Sequence, residues 1–147
     1  MNGGSRMSAS TDSYFNRLQR GEAGLPAITA TLGGHIRAVD VEAGTMESDY
    51  LATDAFLNPA GQVQGGILSA MLDDVTAFLV TATLAEGEHC ATLNLNVSFL
   101  RPAAAGPMQG RSQLVRRGKE VCHVSGELRQ GGKVVATAVA TCVVVRR

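Results

Sequence analysis

The chain turns on residues 58–74, Asn58-Pro59-Ala60-Gly61-Gln62-Val63-Gln64-Gly65-Gly66-Ile67-Leu68-Ser69-Ala70-Met71-Leu72-Asp73-Asp74. Turn formers open it, a Gly-Gly pair follows, and the rest is apolar apart from two adjacent carboxylates. No Gly or Pro stands between Gly66 and Gly87, so the pattern predicts a loop feeding a helix from about Gly66 to Ala85. Ile67, Met71, Val75, Phe78 and Ala82 recur at helical spacing, and Leu68, Leu72 and Leu79 fill the neighbouring stripe. Such a helix is buried on most sides, and the flanking chain has to supply what buries it.

On the N-terminal side, residues 1–10 are small and polar without the apolar core of a signal peptide and read as a disordered tail, with Met7 an alternative start. Residues 11–147 read as a single domain. Tyr14, Phe15 and Leu18 suggest a short amphipathic helix from Thr11 to about Arg20, capped by Thr11 or Asp12. Pro26 marks a loop, after which 32–41 and 45–52 alternate apolar and polar residues around a Gly44 turn, the pattern of two antiparallel strands. Beyond the helix, 90–100 places Leu93, Leu95, Val97 and Phe99 on one side and Thr92, Asn94, Asn96 and Ser98 on the other. Three more strands, 106–116, 119–130 and 133–145, turn at Gly118 and at Gly131-Gly132. Strands with one wet face and a single apolar helix imply an α+β domain in which an antiparallel β-sheet wraps one long central helix.

The helix start carries the chemistry. The first N–H groups of a helix lack intrahelical partners and the aligned peptide dipoles add positive charge, so bare glycines there admit a carbonyl oxygen and stabilise an oxyanion. The same pair also serves a tight loop-to-helix joint. Asp73 and Asp74 are the only charges between Ile67 and Ala85, and a carboxylate on a buried helix is costly unless paired or working. Asp73 shares a face with Gly66 but stands about 10 Å along the axis, too far for both to meet one reacting carbon. If they share a substrate, the acid comes from a second copy, and a two-fold pairing of antiparallel helices produces two equivalent sites.

Asn58, Gly61, the Gln64-Gly65-Gly66 triplet and Asp73, followed by Phe99-Leu100-Arg101-Pro102-Ala103, resemble the hotdog-fold acyl-CoA thioesterases of the phenylacetate-pathway (PaaI-like) group. The resemblance spans roughly Gly33 to Val145. The common motif has His where this chain has Gln64, and an amide cannot act as a general base, so Gln64 is left to orient water or the thioester.

The resemblance implies a hotdog fold and hydrolysis of an aryl- or medium-chain acyl-CoA to free acid and CoA. Gly66, with Gly65, polarises the carbonyl. Asp73 of a partner subunit activates water or attacks directly, while Asn58 and Gln64 hold water and carbonyl in line. Thr92 matches a small hydroxyl residue that some relatives place beside the acid. Arg116, Arg117, Gly118 and Lys119 form the turn where relatives bring the nucleotide phosphates of coenzyme A, although hairpin-tip cations are also ordinary solvated charges. A homodimer with shared sites, assembling as a dimer of dimers, is expected. No cofactor is required beyond the coenzyme A of the substrate. A non-catalytic acyl-CoA or acyl-carrier binding protein on the same fold is the alternative, motivated by the missing His. A hydratase or dehydratase would need His89 or His123 delivered to the acid.

Composition bounds the remainder. Thirteen Lys and Arg balance thirteen Asp and Glu, so no basic footprint marks nucleic acid or an anionic membrane as a partner. The Gly61-x-x-x-Gly65-Gly66 spacing is not a dinucleotide fingerprint. Cys90, Cys122 and Cys142 lack metal-type spacing and read as free core thiols of a cytoplasmic protein, and His35, His89 and His123 are scattered, so no metal is expected.

Overall fold

The computed structural model describes residues 13–147. Two short helices, α1 (Tyr14–Gln19) and α2 (Ala27–Thr31), precede strands β1 (His35–Asp40) and β2 (Thr45–Ala52). A single 3-10 turn, Asp54–Phe56, leads to α3 (Gly65–Thr81). Strands β3 (Glu88–Phe99), β4 (Gly106–Arg117), β5 (Val121–Gln130) and β6 (Lys133–Arg146) complete the chain. The six strands form one antiparallel sheet in the order β1-β2-β4-β5-β6-β3. One face of it lies against α3, the hotdog arrangement that the sequence pattern implies.

The helix is buried as its periodicity requires: Leu68, Met71, Leu72, Val75, Thr76, Phe78, Leu79 and Val80 are inaccessible. They meet Met46 and Tyr50 of β2, Met108 of β4, Val124 and Leu128 of β5, and the alternate residues Ala136, Ala138, Ala140, Cys142 and Val144 of β6. Close approach depends on small residues beneath the helix. A Cβ on Gly126 would fall 2.8 Å from the Thr76 methyl, and Ser112 Oγ, beside it in register, donates to the Val75 carbonyl at 2.7 Å. Phe15 and Tyr14 of α1 meet Phe78 edge-on, with centroids 6.2 and 6.4 Å apart.

Four details differ from the sequence reading. Ser13, not Thr11 or Asp12, is the described cap of α1, its hydroxyl accepting the Asn16 N–H at 3.2 Å; the tail and the two expected caps lie outside the described residues. The span from Pro26 is the helix α2, and Leu32, expected in a strand, follows its last turn with 1% exposure. Helix α3 stops at Thr81, short of Ala85, because the N–H groups of Thr83 and Leu84 reach back three residues and the Thr83 hydroxyl takes the Val80 carbonyl. The alternation expected along β3 is interrupted by a bulge between Thr92 and Asn94. Leu93 is thrown outward, 63% exposed, and Thr92 joins Leu95 and Val97 on the less exposed positions of the strand.

Candidate active site

The loop before α3 is organised around Asn58. Its Oδ1 accepts the N–H groups of Ala60 and Gln62 at 3.0 and 3.1 Å, and its own N–H donates to the Gln62 carbonyl at 2.7 Å. Two bonds pin the far side of the loop: Val63 N–H to the Ala103 carbonyl, 2.8 Å, and Gln64 N–H to the Phe56 carbonyl, 2.9 Å. The structure thus places Asn58 as the residue that shapes the loop, with its carbonyl oxygen already engaged.

Gln64 is the N-cap of α3, exposed, with a side chain that makes no capping bond. Its backbone carbonyl accepts from Ile67 and Leu68 at 2.9 and 3.3 Å, leaving the Gly65 and Gly66 amides as the donors at the helix tip. The two glycines differ. A Cβ on Gly65 would fall 3.2 Å from the Phe99 ring, so its bareness is used by packing, whereas around Gly66 there is open space. Beside this corner lies a cleft of about 310 Å³ lined by Val63, Gly65, Leu68 and the segment 99–103.

Asp73 is half-buried on the side of α3 that faces β3. Its Oδ1 accepts the Thr92 hydroxyl at 2.8 Å, and none of the ion pairs among the described residues engages it. The β3 bulge produces this contact: strict alternation from Leu95 would have aimed Thr92 away from the helix. Asp74, one residue on and about 100° around, faces α2 and β2 instead. Its Oδ1 accepts from Thr29 of α2 and its Oδ2 from Tyr50 of β2, both at 2.7 Å. Burial raises its carboxyl above the ordinary 3.8, the two hydroxyl donors pull it down, and the neighbouring Asp73 charge adds a smaller upward push. Burial, with the Asp74 charge next, carries the Tyr50 phenol far above its usual range. Asp74 is therefore a structural acid, with a hydroxyl on each oxygen, that ties α2 and β2 to α3.

The hairpin tip divides its expected cations. Arg117 turns inward, its Nε donating to the Thr83 hydroxyl at 2.8 Å and a terminal nitrogen to the Gly118 carbonyl. It is occupied in holding the end of α3 to the hairpin. Arg116 and Lys119 are exposed and line, with Gly118, Glu120, Val121 and His123, an open cleft of about 590 Å³. Along one chain this tip adjoins the C-terminal end of α3, away from the Gly65-Gly66 corner.

The sequence reading missed a thiol cluster beside Asp73. Thr92 stands opposite Cys142 across β3 and β6, Cys142 stands opposite Cys122 across β6 and β5, and Cys90 lies two residues before Thr92. Thr92 Oγ1 and Cys142 Sγ are 4.0 Å apart. Interaction with Cys142 first, and burial next, raises the Cys90 thiol, while interaction with Cys90 lowers that of Cys142 against the opposing effect of its own burial. Sequence spacing holds no signal for this, since register alone brings the three strands together. Among the described residues no group of three or more His, Cys, Asp or Glu is arranged to hold a metal ion.

Comparison with known proteins follows the geometry. Residues 57–143 match the family model described as acyl-CoA thioesterase N-terminal domain. The structure superposes with a TM-score of 0.87 on a phenylacetic acid degradation-related protein of Ralstonia eutropha JMP134, described as a candidate thioesterase. That protein is 70% identical, and the match covers 88% of this chain and 98% of the other. The PaaI protein from the phenylacetic acid degradation operon of E. coli is 25% identical with a TM-score of 0.71, over 80% of this chain and 87% of that one. A candidate esterase of Saccharolobus solfataricus is 25% identical over 112 residues, 76% of this chain and 79% of the relative.

Proposed function

Since this chain belongs to the acyl-CoA thioesterase family and is a PaaI-like thioesterase of the hotdog fold, we propose that it hydrolyses an aryl- or medium-chain acyl-CoA at sites built by two copies of the chain. The observation that carries the assignment is the contrast within one helix: both Asp74 oxygens are taken by hydroxyls, while Asp73 accepts one bond from Thr92 and pairs with no cation among the described residues. A catalytic carboxylate needs that combination of fixed orientation and uncommitted charge.

In the proposed reaction the thioester carbonyl oxygen lies against the Gly66 amide, with Gly65 behind it, where the helix terminus stabilises the developing oxyanion. Asp73 of the partner copy removes a proton from water as it attacks the carbonyl, or itself attacks to form a mixed anhydride that water, after CoA has left, opens to the free acid and the restored carboxylate. The coenzyme A thiolate then leaves and takes up a proton. Gln64, at the same corner, donates a hydrogen bond to water or carbonyl. Asn58 supports the site by setting the loop that presents Gln64, a narrower role than direct contact with substrate.

Support for the shared site comes from two features. Within one helix the amides and the acid are about 10 Å apart along the axis, so a single copy cannot bring both to one carbon. Strand β3 also ends the sheet, so its free edge is open over twelve residues, with Leu93, Phe99 and the following Leu100 each more than half exposed. A homodimer closed along this edge, and a further pairing of dimers, complete the proposed assembly. Arg116 and Lys119 are the cations left to meet coenzyme A phosphates, since Arg117 is committed to Thr83 and Gly118. No cofactor enters this scheme. Free Cys90, Cys122 and Cys142 fit a cytoplasmic site of action, and no helix among the described residues is long and apolar enough to cross a membrane.

The test is thiol release from phenylacetyl-, benzoyl-, butyryl- and octanoyl-CoA by the wild-type protein and by Asp73→Asn. Turnover of at least one aryl or medium-chain substrate, lost in the variant, supports the reading; equal rates for both proteins refute the role of Asp73. Single-turnover hydrolysis in ¹⁸O-water detects direct attack when water opens the mixed anhydride at the Asp73 carbonyl, since the first solvent oxygen then stays in the enzyme carboxylate.

A further inference from the structure

Strand β3 touches both halves of the proposed reaction. At one end Thr92 donates to Asp73 at 2.8 Å. At the other the Phe99 ring lies against Gly65, where an added Cβ would fall 3.2 Å from it. Phe99 stands opposite buried Ala136 of β6, in phase with Leu95 and Val97, so its side chain is on the helix side of the sheet; yet it is 55% exposed. The hydrolytic scheme does not use it. A large ring half open on the core side of a sheet is an unfinished contact.

Register identifies what completes it. The shared-site reading, on which this inference rests, requires a two-fold axis midway between the Gly65-Gly66 corner and Asp73, at Ser69 and Ala70. Both are half-buried, and the Ser69 hydroxyl turns back to the Gly65 carbonyl at 2.9 Å, so two helices cross there without stranding a polar group. The same axis cuts β3 midway between Thr92 and Phe99. Residues directly opposite on antiparallel strands share a face, so the axis falls on a residue and not between two. From Thr92 to Phe99 the positions in register with β6 are Thr92, Asn94, Leu95, Asn96, Val97, Ser98 and Phe99, with Leu93 the extra residue of the bulge. Asn96 is the middle one. It then meets its own copy, Leu95 meets Val97 on the helix side, Asn94 meets Ser98 on the outer side, and Phe99 meets Thr92 of the partner copy. Apolar residues pair with apolar ones and polar with polar, as cross-strand stabilisation requires.

We propose that Phe99 is a specificity-determining residue of the shared site, its ring reaching from the Gly65 corner of its own copy to the Thr92–Asp73 pair of the partner copy and forming the wall on which an aryl acyl group rests. Val63 and Leu68, both buried beside Gly65, line the same cleft and extend that wall. An aromatic ring offers an aryl group stacked or edge-on contact that a short alkyl chain cannot make.

The register is tested on the full-length protein by single cysteine substitutions, mild oxidation and non-reducing electrophoresis, with the wild-type chain as background. Asn96→Cys should give a covalent dimer, because a self-opposed pair lies within reach of a disulfide. Asn94→Cys and Ser98→Cys should each stay unlinked alone and should link when the two are co-expressed. No dimer from Asn96→Cys, or one from either of the others alone, overturns the register. Phe99→Ala should lower kcat/KM for phenylacetyl-CoA about tenfold more than for butyryl-CoA, and Phe99→Tyr should keep the wild-type ratio. Equal loss for both esters, or no loss, overturns the specificity role. Measured as dissociation constants in an Asp73→Asn background, the same ratio reports recognition without turnover. Cross-linking needs no hydrolysis either, so failure of the register and failure of the hydrolase reading are separate results.

Discussion

The two sides of α3 receive adjacent carboxylates and treat them differently. Toward β2 and α2, Asp74 meets a Tyr and a Thr hydroxyl, one for each oxygen, in a packed wall that includes fully buried Tyr50 and Thr29. Toward β3, Asp73 meets one hydroxyl at a bulged edge strand with exposed neighbours. A carboxylate with a protein hydroxyl on each oxygen in a packed wall contributes to structure, while one held through a single oxygen keeps the other for a substrate or water. The difference arises from which elements lie opposite, since the residue type is the same and one step along the helix turns the side chain by about 100°.

The strongest way to break this contrast is Asp73→Asn, expected to lower kcat by about 10²–10⁴-fold, the range for a lost general base, with the far-UV circular dichroism unchanged. Retained turnover would mean that the two acids have been assigned to the wrong sides. Thr92→Val, which removes the hydroxyl that donates to Asp73, should lower kcat roughly 10–100-fold; an unaltered pH–rate profile and rate would show that the carboxylate needs no orientation. Gln64→Ala should slow the reaction about tenfold by removing one polar contact at the helix tip.

Asp74→Asn is expected to change kcat least and stability most visibly. The folded-state pKa of Asp74 is raised above 3.8, so the folded protein binds this proton more tightly than the unfolded chain does. The associated stabilisation is fully present below the unfolded value and is lost as pH rises through the raised folded value. Asparagine cannot ionise, so urea unfolding from pH ~4 to pH ~7 should show the stability difference shifting in favour of the variant as pH rises. A difference that is flat with pH, or that moves the other way, would show that the carboxyl of Asp74 is not the desolvated partner described.

Much of the fold was legible because its signals are periodic and local. The apolar stripe from Ile67 to Leu79 and the turn glycines Gly118, Gly131 and Gly132 place α3 and the strands β4, β5 and β6 to within a few residues. The short α2 lacks a side-chain cap and runs only from Ala27 to Thr31, too brief for a period to register. The bulge at Leu93 follows pairing with β6 and not composition, which is why Thr92 reads from the sequence as facing away from the helix. Likewise Arg117 belongs to a run of cations, and only its bonds to Thr83 and Gly118 separate it from Arg116 and Lys119.

By itself the chain's sequence determined an apolar helix opening on bare glycines, two acids in its middle, and strands enough to cover it, because burial and backbone freedom act over a few neighbouring residues. Tertiary structure alone decided which acid is held by both oxygens, which cation is committed and which thiols face each other. Those outcomes depend on register between strands far apart in the chain, where a shift of one residue turns a side chain to the other face.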